Sequence, residues 1–231
     1  MRRLLGPLID LFFPPACIFC SEKLMNDPDL LSTCDCCLDG LLDLSRCCPY
    51  CGYPLQSGRV CALCQEQEFS FNGVCAINIY KGNLKRVVLD YKYRQKKHLA
   101  LPLGKLMARQ VRRSSWPDFT AVVPVPLHSQ RLRERGFDQV QLLAQSIGSE
   151  LDLPVLRILK RIRPTLSQTG LGFSDRWQNI KGVFQVSSEQ SPGGSLLLVD
   201  DLLTTGATAH CAAAELLGAG AGSVYVSVIG R

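Results

Sequence analysis

Apolar positions in the second half of the chain come in two rhythms. Phe119-Thr120-Ala121-Val122-Val123 is an unbroken buried-strand run that ends in Pro124-Val125-Pro126. Gly136 to Ser149 has helical period, with Val140, Leu143, Ala144 and Ile147 on one side. Val155 to Leu159 reads as a short strand. Leu196-Leu197-Leu198-Val199 is apolar at every position, as in a parallel strand covered on both faces. Thr208 to Leu217 is an alanine-rich helix ended by Gly218-Ala219-Gly220-Ala221-Gly222, and Ser223 to Ile229 is a further strand. Upstream, Leu103, Leu106 and Met107 form the apolar side of a helix after Pro102, with Lys105, Arg109, Arg112 and Arg113 facing outward. Alternating strands and helices predict an α/β, doubly wound parallel sheet. Residues 163 to 182 fit neither rhythm; so long an irregular stretch is usually functional or mobile.

Composition changes the picture for the first third. The 231 residues have room for one ordinary domain and a small module. Ten of the 12 cysteines lie between Cys17 and Cys64. The start, Met1-Arg2-Arg3-Leu4-Leu5, imitates an export signal, but Gly6, Pro7 and Asp10 interrupt its apolar part and no small-residue cleavage site precedes Cys17. Leu4 to Phe13 therefore reads as an amphipathic helix within residues 1–15, and the expected compartment is the reducing cytoplasm, where paired cysteines bind metal more often than each other. No apolar run approaches the ~18 residues that span a bilayer.

Four C-x-x-C pairs follow in order: Cys17/Cys20, Cys34/Cys37, Cys48/Cys51 and Cys61/Cys64. Two such knuckles complete the four-sulfur shell of structural zinc, so these eight cysteines suit one or two ions. Sequential and cross-braced pairing both fit, and Cys36 and Cys47 are spare. Residues 17 to 64 hold few large apolar side chains, so metal would supply the module's folding free energy.

Charge divides the chain at the same place. Residues 1–75 carry five Lys/Arg against nine Asp/Glu, whereas residues 81–113 carry eleven Lys/Arg and a single acid, Asp90. Lys92, Arg94, Lys96 and Lys97, interleaved with Tyr91 and Tyr93, suit a nucleic-acid surface, a phosphate-rich small ligand or a solvated basic face.

The most informative segment joins the strand at Leu196 to the helix at Thr208. It reads Asp200-Asp201-Leu202-Leu203-Thr204-Thr205-Gly206-Ala207-Thr208. Loop amides and a helix N-terminus attract an anion, hydroxyls add donors, and Gly206 permits close approach of the backbone. Two carboxylates beside such a cradle suit a sugar phosphate: the acids accept from ribose hydroxyls while the loop holds the 5′-phosphate. The bland alternative is a threonine N-cap with solvated acids.

This loop resembles the phosphoribosyl pyrophosphate (PRPP) motif of type I phosphoribosyltransferases. With the four knuckles, Tyr80-Lys81-Gly82, Tyr91-Lys92-Tyr93, Val123-Pro124-Val125-Pro126-Leu127-His128, Arg135-Gly136-Phe137-Asp138-Gln139 and Arg163-Pro164-Thr165, the chain resembles the ComF/GntX family almost end to end. Asp138 stands where that family usually has Asn. The resemblance implies a zinc-binding module at 16–68 and a phosphoribosyltransferase-like domain at 74–231. It implies Asp200 and Asp201 as the catalytic, ribose-binding acids, and Leu203, Thr204, Thr205, Gly206, Ala207 and Thr208 as the 5′-phosphate loop. Leu127, His128, Arg131 and Arg135 fall where pyrophosphate is bound, although Arg131 also suits a surface ion pair with Glu134. Arg163, Gln168 and Arg176 are candidates for a hood over the site. Magnesium is implied with PRPP, and DNA-uptake proteins and single-stranded DNA are implied partners. Two functions stay open: a phosphoribosyltransferase serving the uptake or use of extracellular DNA, and a non-catalytic PRPP- or nucleotide-sensing module that binds single-stranded DNA or partner proteins.

Overall fold

A computed structural model describes residues 15–24, 31–127, 129–163, 177, 180, 182–187 and 193–231, with the side chains of 129–131 outside that description. The amphipathic segment expected before Pro15 lies outside the described residues, as does most of the irregular stretch after Arg163.

Four parallel strands form the centre: β1 (Gly73–Asn78), β2 (Ala121–Pro124), β5 (Ser195–Leu202) and β6 (Ser223–Gly230), in the order β1-β6-β5-β2. The registers Pro124↔Val199 and Val199↔Ser227 place the carboxyl ends of β2, β5 and β6 side by side. Leu196, Leu197, Leu198 and Val199 are all 0% exposed. Neighbours along a strand point to opposite faces, so both faces of β5 are covered, as the apolar run predicts. Helices α4 (Ala100–Arg113) and α6 (Gln139–Leu151) pack on each other and on the sheet, and α7 (Ala207–Gly218) packs on β5 and β6. Asp138 caps α6: its carboxylate accepts from Gln141 N–H at 2.9 Å. Asn and Asp serve equally at that position, which gives the departure from the family residue a local account.

Three elements differ from expectation. Val155 makes only a bridge to Val122, whose backbone bonds go to Pro154 and Leu156. The strand in this region starts later, as β3 (Leu159–Arg161), and pairs antiparallel with β4 (Phe184–Val186) in a separate two-stranded sheet. Strand β1 and helix α3 (Gly82–Tyr93) go beyond the elements expected above, although Val74 to Ile77 is an apolar run and Leu84, Val87, Val88 and Tyr91 keep helical spacing; one supplies a sheet edge and the other a wall of the site. The cysteine-rich part includes the short helices α1 (Asp35–Asp39) and α2 (Ala62–Glu66). It is also not a separate core: Cys17, Phe19, Leu24, Leu41, Leu42 and Cys47 join the cluster that fills the sheet. Buried Gln110 on α4 fastens the two, donating to the carbonyls of Leu42 (2.9 Å) and Ala76 (3.0 Å).

Candidate functional site

The eight knuckle cysteines fall into two sets, Cys17/Cys20/Cys34/Cys37 and Cys48/Cys51/Cys61/Cys64, with the ligand atoms of each within 4.8 Å of one another. Pairing is therefore sequential rather than cross-braced. A zinc–sulfur bond of about 2.3 Å makes tetrahedral sulfur–sulfur edges of roughly 3.8 Å. Cys20 and Cys34 Sγ lie 3.5 Å apart, as do Cys51 and Cys61 Sγ, so both sets fit a structural zinc ion. Burial pushes the Cys17 and Cys48 thiols up, but backbone amides from Cys20, Cys34 and Phe19 at the first, and from Cys61, Cys51 and Tyr50 at the second, bring each down to about 7. Those amides stabilise the thiolate a metal needs. The spare Cys47 is buried in the core and pushed up to about 11 by that burial, whereas Cys36 is exposed. Cys75 is a small core residue, 1% exposed.

At the carboxyl ends of β5 and β2 a cavity of about 600 Å³ is lined by Asp200, Asp201, the loop Leu203 to Thr208, Leu127 and Arg135. In an open parallel sheet this is where ligands bind. Gly206 at φ +83° is the N-cap of α7 and has no side chain to cap it, while Thr205 Oγ1 accepts from the Ala207 N–H at 3.4 Å, so a threonine reaches the first turn through one long bond. A side chain at 206 would meet the Phe69 ring at 2.7 Å, so the turn requires glycine. Asp201 N–H donates to Asp200 Oδ1 at 2.7 Å. Burial, then the neighbouring Asp201 charge, raises the Asp200 carboxyl to about 7 against the pull of Lys92 and Arg161.

Asp201 is held by cations. Lys92 Nζ lies 2.7 Å from Asp201 Oδ2, and Arg135 Nη1 lies 3.8 Å from the same oxygen. Arg135 donates to Gln139 Oε1 at 3.0 Å and stacks over Tyr93, 5.4 Å to the ring centroid. Lys92 is thus separated from the basic run in which its sequence sets it: it is 8% exposed and lines the cavity. That burial takes it out of any outer nucleic-acid surface. Arg94 and Lys96 both pair with Asp90, at 3.1 and 2.7 Å, and Lys97 sits over the Phe137 ring at 5.3 Å. Arg163 is exposed just beyond β3, while His128, Gln168, Arg176 and the Arg131 side chain lie outside the described residues. Tyr80 and Tyr93, from two of the motifs quoted above but given no role there, also line the cavity, as does Arg161, which no motif marks. Among the described residues no helix is long and apolar enough to cross a membrane.

Residues 8–65 match the model of the double zinc ribbon domain family. Competence protein F of Haemophilus influenzae is 34% identical over 171 residues, which cover 70% of this chain and 74% of that protein. DNA utilization protein YhgH of Salmonella typhimurium is 31% identical over 187 residues, covering 78% and 81%. Competence protein ComFC of Bacillus subtilis is 27% identical over 177 residues, covering 74% and 71%. Among solved structures, the glutamine PRPP amidotransferase from B. subtilis aligns at 20% identity with a TM-score of 0.41, over 60% of this chain and 30% of that one.

Proposed function

Because the chain belongs to the ComF/GntX family, that of competence protein F and the DNA utilization proteins, we propose that its cavity binds PRPP, or a close phosphoribosyl relative, in the handling of extracellular DNA. One observation carries the reading: a carboxylate pair and a helix N-terminus that opens on glycine face one cavity at the ends of parallel strands. The Thr204 to Thr208 loop takes the 5′-phosphate, its amides and hydroxyls matching the phosphate oxygens. Asp200 and Asp201 accept from the ribose hydroxyls. Arg135 and Lys92 neutralise the pyrophosphate, with Leu127 at the end of β2 beside it and His128 and Arg131 in the segment that follows. Lys92 then has two partners in turn: Asp201 when the cavity is empty of anion, and a phosphate oxygen when it is filled.

Carboxylate and hydroxyl oxygens are hard donors, the kind magnesium prefers, so the lining fits a Mg²⁺ ion delivered with PRPP. Such an ion would add positive charge to the pyrophosphate. If transfer follows, the bond from C1′ to the pyrophosphate oxygen breaks through an oxocarbenium-like state, and the fixed cations stabilise the departing anion. The second reading is a sensor without turnover. It is favoured by the Lys92–Asp201 pair at 2.7 Å, for which an arriving phosphate would compete, so that filling the cavity would change the pairing of Asp201. In this second reading Arg94, Lys96, Lys97 and the exposed Tyr93, beside the rim that Tyr93 and Gln95 give the cavity, are the candidate single-stranded-DNA surface.

Calorimetric titration with PRPP and Mg²⁺ tests the binding; saturable heat that disappears in the Asp200→Ala/Asp201→Ala double variant is expected. Absence of heat in the unaltered protein would sink the reading. Pyrophosphate release across a panel of acceptor bases separates enzyme from sensor.

A further inference from the structure

The second cysteine set and the phosphate loop meet at one side chain. Arg231, the residue after β6, donates from Nε to the carbonyl of Cys51 at 2.7 Å. Its Nη1 donates to the carbonyl of Thr204 at 2.7 Å and of Leu203 at 3.4 Å. The guanidinium stacks over Tyr53, 5.5 Å to the ring centroid. The backbone of Arg231 is pinned from both sides: its N–H donates to Asn78 and its carbonyl accepts from Tyr80. Cys51 is equally fixed. Gly52, at φ +68°, leaves no room for a side chain, because the Val74 carbonyl of β1 would sit 2.9 Å from it.

A trans peptide unit points its carbonyl and its N–H to opposite sides. With the Leu203 and Thr204 carbonyls turned to Arg231, the Thr204 and Thr205 amides point away from it. Thr204 and Thr205 line the cavity and Arg231 does not. The amides that would meet a phosphate are therefore oriented from behind, by a guanidinium whose other arm rests on a zinc-ligand residue. Lysine has no such fork.

We propose that Arg231 is a positioning residue that couples occupancy of the Cys48/Cys51/Cys61/Cys64 metal site to the orientation of the phosphate-loop amides. The ligand half of this inference rests on the PRPP reading above; the orientation half does not. A metal-ligand residue held by an outer partner is a common way for a protein to tie a metal to its surroundings. Coupling of binding free energies is reciprocal, so the filled loop must also strengthen the hold on that metal and leave the first site untouched.

Hydrogen–deuterium exchange on the zinc-loaded full chain tests the orientation half. Arg231→Gln is expected to speed exchange across Leu203 to Ala209 about fivefold or more, with two zinc ions retained and α4 unchanged; Arg231→Lys falls between. Unchanged exchange across that loop overturns the proposal. Should Arg231→Gln lose zinc or loosen α4 as well, Arg231→Lys decides: a loop-confined effect supports the proposal and none overturns it. With PRPP and Mg²⁺, the unaltered protein is expected to release one of its two zinc ions to a chelator several-fold more slowly. Arg231→Gln loses that protection and binds PRPP roughly tenfold more weakly, the loss of a charge-assisted bond. If the unaltered protein binds no PRPP, the ligand reading fails while the exchange result still decides the role of Arg231. If PRPP binds but slows neither release phase, the coupling is overturned.

Discussion

The two cysteine sets have the same ligands and the same 3.5 Å sulfur spacing, but different neighbours. The first is shallow: Cys17 is buried and Cys20 is exposed. Its tie to the α/β part is through Arg86 of α3, whose Nη2 donates to the carbonyls of Ile18 and Phe19 at 3.1 and 2.7 Å. The second is deeper, with Cys48 and Cys51 at 0% exposure, and it leans on β1 at Val74 and, through Arg231, on the loop at Thr204. Identical metal chemistry thus serves two purposes. One ribbon closes the outside of a shared core, and the other stands behind the site.

The strongest way to break this contrast is to remove one ligand from each set. Cys20→Ser and Cys51→Ser are each expected to lower zinc content from two ions to one, read by elemental analysis. Structural zinc contributes on the order of 10 kcal/mol to small ribbons, so either change lowers the melting temperature. Only Cys51→Ser is expected to abolish PRPP binding, because it loosens the backing of Thr204. Equal loss of binding in Cys20→Ser would erase the distinction.

Gly206→Ala approaches the same loop from the sheet side. At φ +83°, with the Phe69 ring 2.7 Å from the added carbon, the change must displace either the turn or Phe69. A cost of about 1–3 kcal/mol is expected by denaturant titration, with loss of PRPP binding and both zinc ions kept. Loss of zinc in this variant would mean that the loop supports the ribbon as much as the ribbon supports the loop.

Asp200 offers a perturbation that reaches the site through neither ribbon. Its carboxyl stands at about 7, raised above the ordinary carboxylate value of 3.8, so the folded state favours the protonated form. The stability this gives is full below pH 3.8 and is lost as pH rises towards 7. Asp200→Asn, which cannot ionise, is expected to be more stable than the unaltered protein at pH 8, by about 1–3 kcal/mol. Affinity for PRPP and Mg²⁺ moves the other way, rising as Asp200 ionises between pH 6 and 8. A flat stability difference over that range would show that Asp200 titrates normally.

What the sequence makes legible is local chemistry. The segment from Asp200 to Thr208 reads correctly as strand, acids, glycine turn and helix because its meaning lies in consecutive residues. The four knuckles are equally plain, but their pairing needs the fold. Lys92 shows the limit: its neighbours suit a nucleic-acid surface, a phosphate-rich ligand or a solvated face alike, and only the packing of α3 sets it beside Asp201, 109 positions away in number. Arg231 is harder still. Its partner Cys51 is 180 residues distant, and the bond goes to a carbonyl that every residue has. Tyr80 and Tyr93 supply aromatic lining from upstream of the sheet's second strand, and only the packing of α3 and β1 brings the two into one cavity.

The smallest expected effect concerns DNA, and it tests whether the rim acts apart from the cavity. Lys92 is buried in the ion pair, so the basic run that remains accessible is Arg94, Lys96 and Lys97. Arg94 and Lys96 share the carboxylate of Asp90, which already offsets part of their charge. Each therefore has less to give a phosphate than an isolated cation. Changing all three to Ala is expected to weaken single-stranded DNA binding only several-fold and to reduce the slope of log affinity against log salt by about 1–2. PRPP binding and both zinc ions should be untouched. Lys92→Ala is the matched control, because it removes one charge from the cavity and none from the rim: it weakens PRPP binding and leaves the salt slope where it was. An unchanged slope in the triple variant, or a lowered one in Lys92→Ala, would move the DNA contact off the rim and towards the cavity.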